Sequence, residues 1–224
     1  MTNNTNIISY ELVTAPVLEP VSAKAFKDFA RLDDDVDDSY LNMFIKAARM
    51  QAEQYIGKAI ITQTWKLRLD YFPAQNIPNY SLRNADNFSS EGYGVPSYLG
   101  YWPYNDYVFI AKPTVQSITS VVTYDASDNA TTMSASAYRL DAYGQRLVLN
   151  QNSSWPINLR ARAAIEITFV SGFGGESDDV PDDIQLGILS LAKKLYDCRG
   201  TTCDDTSSCL GILKSYKDYG RRGL

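Results

Sequence analysis

Three cysteines, Cys198, Cys203 and Cys209, and five aspartates, Asp33, Asp34, Asp35, Asp37 and Asp38, are the clusters with side chains suited to metal binding. The cysteines lack C-x2-C spacing, the chain has no histidine to complete a tetrahedral site, and only Asp204 and Asp205 lie nearby. An odd number of thiols cannot pair fully within one chain, so reduced cysteines on or beside a helix are expected. The aspartate run lacks the central glycine and distal glutamate of a calcium loop, whereas acids ahead of an apolar run suit the positive end of a helix dipole. "SGFGGES", residues 171–177, has glycines that could cradle a phosphate. It has neither the Lys and Ser or Thr of a P-loop nor G-x-G-x-x-G spacing, and reads as a strand-to-helix turn. No metal and no cofactor is expected.

Without histidine the Ser-His-Asp arrangement and the commonest general base are both excluded. A carboxylate pair of the glycosidase kind is open, since Asp and Glu number 26 and aromatic loops could hold sugar. The acids occur in solvated runs, however, and none is expected in an apolar setting that would raise its pKa. No catalytic residue is expected, and the chain reads as a non-enzyme. "YGVPSYLGYWPYNDY", residues 93–107, is richer in possibilities. Tyr93, Tyr98, Tyr101, Trp102 and Tyr104 either fold over a sheet as a self-packed loop or form a protein-contact surface, where Tyr and Trp are enriched.

The elements carrying these residues follow from periodicity. Ser22 is a candidate N-cap before Ala25, Phe26 and Phe29, which predicts a helix over 22–31. Leu41, Phe44, Ile45, Ala48, Ala52, Tyr55 and Ile56 recur at i, i+3, i+4, i+7 and predict a helix over 38–56, ended by Gly57 as a left-handed cap. Ile61, Gln63, Trp65, Leu67 and Leu69 then alternate with Thr62, Thr64, Lys66, Arg68 and Asp70, the period of a half-buried strand with Trp65 as a core anchor at the junction. Further strands are predicted at 107–111, 117–124, 137–141, 145–149 and 163–170, giving a mostly antiparallel sheet of about five or six strands. Pro181 opens a helix over 181–198, and a short helix carrying Leu210, Leu213 and Tyr216 follows, weakened by Gly211.

The fold class is therefore α+β, a helical bundle of N- and C-terminal helices with an inserted, mostly antiparallel sheet. At 224 residues, 45% hydrophobic and 21% charged, the chain is long enough to bury a core, and no linker divides it. Its net charge of −5 argues against a sequence-independent grip on nucleic acid. No apolar run is long enough to span a bilayer, and the N-terminus lacks the pattern of a signal peptide, so no membrane partner is expected.

"EPVSAKAFKDFARLDDDVDDSYLNMFIKAARMQAEQYIGKAIITQTWKLRLDYFP", followed in order by "YRLD", "RLVL", "ITFVSGFG", "VPDDIQLGILSLAKKLYDCR" and "LGILKSYKDYG", resembles the head-tail connector family of long-tailed bacteriophages and gene transfer agents. These are also called adaptor or head-completion proteins. The resemblance runs from about Tyr10 to Tyr219. It implies a structural protein of the virion neck, assembled in the host cytoplasm, that forms a ring under the portal, typically twelve-fold, and extends the DNA exit channel. Its partners would be the portal protein, further copies of itself, and a stopper or tail-terminator protein, with DNA only passing through.

The resemblance further implies one adaptor domain over 1–200 and a portal-docking arm over 201–224, with Leu210, Leu213 and Tyr216 as contacts and Arg221 and Arg222 as charged supports. In the sequence at hand, the β-rich insertion of about 60–170 departs from the family pattern by an aromatic loop at 77–106, expected to meet a neighbouring subunit or the next protein towards the tail. Two other readings remain. A tail-tube or tail-terminator protein would lack the long terminal helices, and a carbohydrate-binding protein would set its aromatics in a row on a sheet face.

Overall fold

Ser22 has an extended backbone, and its hydroxyl accepts the Ala25 N–H at 3.1 Å, which starts α1 (Ala23–Ala30) where the sequence marks a cap. The computed structural model describes residues 9–33, 36–72, 107–110, 112, 114–143, 145–198 and 207–217. The Asp37 carboxylate accepts the Ser39 N–H at 2.8 Å and caps α2 (Asp38–Ile56); this bonding to Ser39 holds its carboxyl below the usual value. Gly57, at φ 76°, closes α2 by donating its N–H to Glu53 O at 2.9 Å. Behind Pro181 comes α3 (Asp182–Asp197), and α4 (Ser207–Gly211) runs into a 3-10 turn, Ile212–Tyr216.

Among the described residues eight strands accompany the helices: β1 (Ser9–Thr14), β2 (Gln63–Leu69), β3 (Tyr107–Phe109), β4 (Val115–Tyr124), β5 (Ala130–Thr132), β6 (Tyr138–Asp141), β7 (Arg146–Leu149) and β8 (Ile165–Ser171). Five form a sheet in the order β1-β2-β8-β4-β5, and three form another in the order β3-β7-β6. The pairs β4–β5, β6–β7 and β3–β7 are antiparallel, with Val122 opposite Thr132, Tyr138 opposite Leu149 and Tyr107 opposite Val148. The class is α+β, as the sequence indicates. Two strands escape sequence reading: β1 is exposed at nearly every position, so it shows no alternation, and β5 is only "ATT".

The chain divides into two compact units, Met1–Glu11 with Trp65–Ala111 and Ser117–Phe169, and Leu12–Thr64 with Lys112–Gln116 and Val170–Leu224. The second unit is helical at its centre. Leu41, Ile45, Ala48, Ala52 and Ile56 of α2 share one buried cluster with Ile184, Ile188, Leu191 and Ala192 of α3 and with Phe26 of α1. Each large aliphatic side chain removed from water there contributes about 1.5–3 kcal/mol. Gly172 of this unit, at φ 145°, lies so close to the Ile61–Thr62 backbone that a Cβ would sit 2.6 Å from Ile61 C. Only glycine fits that approach. Its N–H reaches Thr114 O at 3.0 Å, and Thr114, at φ 73°, donates its hydroxyl to Ala59 O.

In the other unit Ile165, Ile167 and Phe169 of β8 are buried and alternate with half-buried Glu166 and Thr168, the predicted period of two. Asp70 departs from its alternation. Expected on the wet face, it is 8% exposed and binds Arg162 at 2.9 Å and the Ala163 N–H at 2.7 Å, fixing a left-handed residue at φ 47°. Phe72 stacks on Trp155 at 4.1 Å, and the buried Trp155 Nε1 has no acceptor among the described residues.

On the outer face a polar ladder crosses the strands. Glu166 accepts from Arg68 at 2.9 Å and Tyr124 at 3.2 Å and pairs with Lys66 at 3.1 Å, while Arg68 also pairs with Glu11 at 2.6 Å. Desolvation pushes the Glu166 carboxyl up, but the hydrogen bonds and charges of Arg68 and Lys66 outweigh it and hold the group below 4.5. A carboxyl depressed in the folded state contributes stability that is present above its unfolded pKa and lost as pH falls through the folded value. Glu166→Gln is therefore expected to flatten the loss of urea stability below about pH 4.5. An acid limb as steep as that of the parent protein would show that this carboxylate is not a source of the pH dependence.

Candidate functional site

The C-terminal segment carries the expected docking residues, and the fold uses them internally. Leu213 is fully buried in the helical core, seated over Gly187 so that a Cβ there would lie 2.7 Å from its Cδ2. Leu210 and Tyr216 pack partly buried on the same core, with the Tyr216 ring 6.4 Å from that of Phe173. Lys217 Nζ sits 4.4 Å from the centre of the Tyr55 ring, a cation–π contact that ties the segment to α2. The exposed positions of this stretch are Ser208, Gly211, Ile212, Lys214 and Ser215. Arg221 and Arg222 lie outside the described residues, as do Tyr93, Tyr98, Tyr101, Trp102 and Tyr104 of the aromatic loop and Cys203. The structure thus brings Leu210, Leu213 and Tyr216 together.

Trp65 shares its strand face with Leu67 and Leu69 but is half-buried, less deeply placed than its neighbours. Cys198 and Cys209 are free and half-buried, and Cys209 donates weakly to Ser190 O at 3.8 Å. Among the described residues no three His, Cys, Asp or Glu side chains converge on a metal position.

The strongest electrostatic feature is one that sequence reading missed. Arg49, 4% exposed, reaches Glu19 at 2.7 Å and Glu53 at 2.8 Å. The other Glu53 oxygen accepts the Ile60 N–H at 2.9 Å and the Gln63 amide at 2.7 Å. Desolvation raises the Glu53 carboxyl above its usual value, against Arg49, the Ile60 and Gln63 bonds and Lys112. Burial likewise pulls the Lys112 ammonium down, opposed by Glu53. The expectation that no acid has a raised pKa fails here, because α2 buries Glu53 beneath the turn that follows it. The i,i+4 spacing of Arg49 and Glu53 is the sequence signal for the pair. A carboxylate whose two oxygens already hold Arg49, Gln63 and a backbone N–H is committed to the fold, which leaves it poorly suited to donate a proton to a substrate.

With this geometry in view, the chain can be compared with known proteins. Residues 22–86 match the family model of the phage gp6-like head-tail connector protein. That stretch includes α1, α2 with Arg49 and Glu53, the Gly57 turn and β2. Over 96% of its length the chain also superposes on 97% of a chain from the virion of a native gene transfer agent particle, at 18% identity and a TM-score of 0.69. Equal shares match a chain from the neck of an empty gene transfer agent particle with C6 symmetry, at 20% identity and 0.69, and one from the neck of a native particle with C12 symmetry, at 20% and 0.64. At these identities the likeness is one of fold. No curated protein matches the sequence significantly.

The connector-like stretch therefore contains the buried Arg49–Glu53 pair, and its loss should be costly. Glu53→Ala leaves Arg49 with Glu19 alone and strands the Ile60 N–H and Gln63 amide, so a loss of about 3–5 kcal/mol is expected in urea unfolding. A loss under about 1 kcal/mol would show that water replaces the carboxylate, and that the network is incidental to the fold.

Proposed function

We propose that this chain is a structural protein of a virion neck, a head-tail connector that forms a ring under the portal, extends the DNA exit channel and gives the tail or a stopper protein its docking surface. The observation that carries the reading is the connector match over residues 22–86 together with a neck-protein fold along 96% of the chain. It is a role without catalysis, and Glu53, the buried carboxylate whose pKa is raised, is held by structural bonds. A net charge of −5, repeated around a ring, repels phosphates and favours DNA that slides without sticking.

In this reading the stretch 201–224 is the portal-docking arm. Leu213 anchors the arm to its own core, the exposed Ile212 and Lys214 are its contacts to the portal, and Arg221 and Arg222 are its charged supports. The aromatic loop at 77–106 is the contact towards a neighbouring subunit or the tail. Many arms on one portal hold by avidity although each is weak.

Mass measurement by light scattering or native mass spectrometry tests the proposal directly. Protein alone should be monomeric, and with the portal it should form a complex holding about twelve copies, the symmetry seen in a neck of matching fold. A chain that binds no portal, at any concentration, would overturn it. Charge reversal at the tail, Arg221→Glu with Arg222→Glu, is expected to reduce portal capture at least about tenfold without changing the thermal midpoint, a difference of about 1.4 kcal/mol. Undiminished capture would remove the arginines from the docking contact.

A further inference from the structure

Helix α2 is apolar on two sides. Its core stripe, Leu41, Ile45, Ala48, Ala52 and Ile56, is fully buried. Met43 and Met50, 58% and 56% exposed, lie on a second side with Ala47 and the exposed Gln54, while the Tyr40 ring beside them packs on Phe44 and on Tyr196 of α3. At about 100° per residue, Met43 and Met50 point roughly 180° away from the core stripe. A helix apolar on opposite faces is characteristic of one buried on both. Lys46 is the exposed charge beside this second stripe, and it makes no ion pair among the described residues; the nearby acid Glu53 is turned to Arg49.

Helix α3 shows the reverse arrangement. Its core stripe is Ile184, Ile188, Leu191 and Ala192, and Leu186, 43% exposed, lies about 190° around the helix from it. Lys193 on this outer side is bonded to Asp197 at 2.7 Å. Asp182 and Asp183, both exposed, form no ion pair among the described residues. The outer side of α2 thus carries two exposed methionines beside a cation with no ion pair, and the outer side of α3 one exposed leucine, Leu186, among charged residues that include the two acids with no ion pair. Because α2 and α3 meet through their inner stripes in one core, the two outer faces look away from each other across the helical unit.

We infer that the outer face of α2 in one copy docks on the outer face of α3 in the next, with Met43 and Met50 against Leu186 and Lys46 opposite Asp182 and Asp183. Two different patches on opposite sides define a heterologous contact, which propagates from copy to copy and closes into a ring when the rotation allows. The alternative of pairing α2 with α2 sets Lys46 beside Lys46, since the exposed acid of that helix, Asp38, lies in its first turn and is paired with Lys27. This inference rests on the ring reading above and names the surfaces that build the ring.

The test uses the full chain with benzoylphenylalanine at Met43, irradiated as an equal mixture of unlabelled and 15N-labelled protein with the portal present. The expected result is mixed-isotope cross-links to peptides of α3 around Leu186. Alongside it, Lys46→Glu should abolish assembly, and Asp182→Lys with Asp183→Lys in the same chain should restore it. Mixed-isotope links that map to α2 or to a strand would overturn the α2–α3 pairing while leaving the ring standing. Assembly untouched by Lys46→Glu would do the same. A wild-type chain that stays monomeric with the portal would overturn both the pairing and the ring.

Discussion

A single carboxylate, that of Glu53, fixes how the helical unit turns from helix to strand. Gly57 reverses the chain in a left-handed conformation, and six residues later β2 begins. Between those points the Ile60 N–H has left the helix and has not yet entered the strand. Glu53 supplies one oxygen to it and to Gln63, and gives the other to Arg49. Arg49 in turn reaches back to Glu19, ahead of α1. Segments at Glu19, Arg49 and Gln63 are thereby held by one buried charge pair. The cost of desolvating it shows in the raised carboxyl of Glu53, and the geometry offsets that cost by committing both oxygens.

The outer face of the strands is managed on different terms. Glu166, Arg68, Lys66 and Glu11 form a half-exposed ladder in which water screens each pair, so the individual contributions are small. The ladder matters for register. A slip of one residue would turn Lys66 and Arg68 into the core and put Leu67 and Leu69 in water, so opposite charges and apolar alternation specify the same pairing. Arg160 stacked over the Tyr124 ring at 4.1 Å extends the same face.

This division explains what was legible in the sequence. Ser22 and Gly57 are caps with local chemistry, and α1 begins and α2 ends where those residues stand. The alternation through β8 was equally plain, because Ile165, Ile167 and Phe169 must be dry while Glu166 meets Arg68. What escaped depended on distant partners. Glu53 is one polar position on an amphipathic helix until the Ile60 turn folds over it. Asp70 continues a wet stripe until Ala163, ninety-three positions away, presents its N–H. Leu213 reads as an exposed docking residue on a short weak helix, and only Gly187, a notch on α3, turns it into a core plug. The candidate site was thus legible in residue type but not in orientation.

The choice of residues on the second stripe of α2 follows from the same constraint. Under the proposed contact between copies, α2 folds as part of a free subunit and then buries its outer side, and Leu or Ile there at full density would expose a large patch that invites non-specific association. Methionine answers both conditions. It is flexible and polarizable, so it tolerates water in the free chain and adapts to an irregular neighbour in an assembly. The Tyr40 ring beside it is already held by Phe44 at 5.1 Å and by Tyr196 of α3 at 6.4 Å, and belongs to the packing of the subunit itself. The interior of α2, by contrast, is alanine and branched aliphatic, types suited to close and permanent packing. One helix thus carries a rigid inner face that makes the subunit and an adaptable outer face that fits the contact proposed between copies.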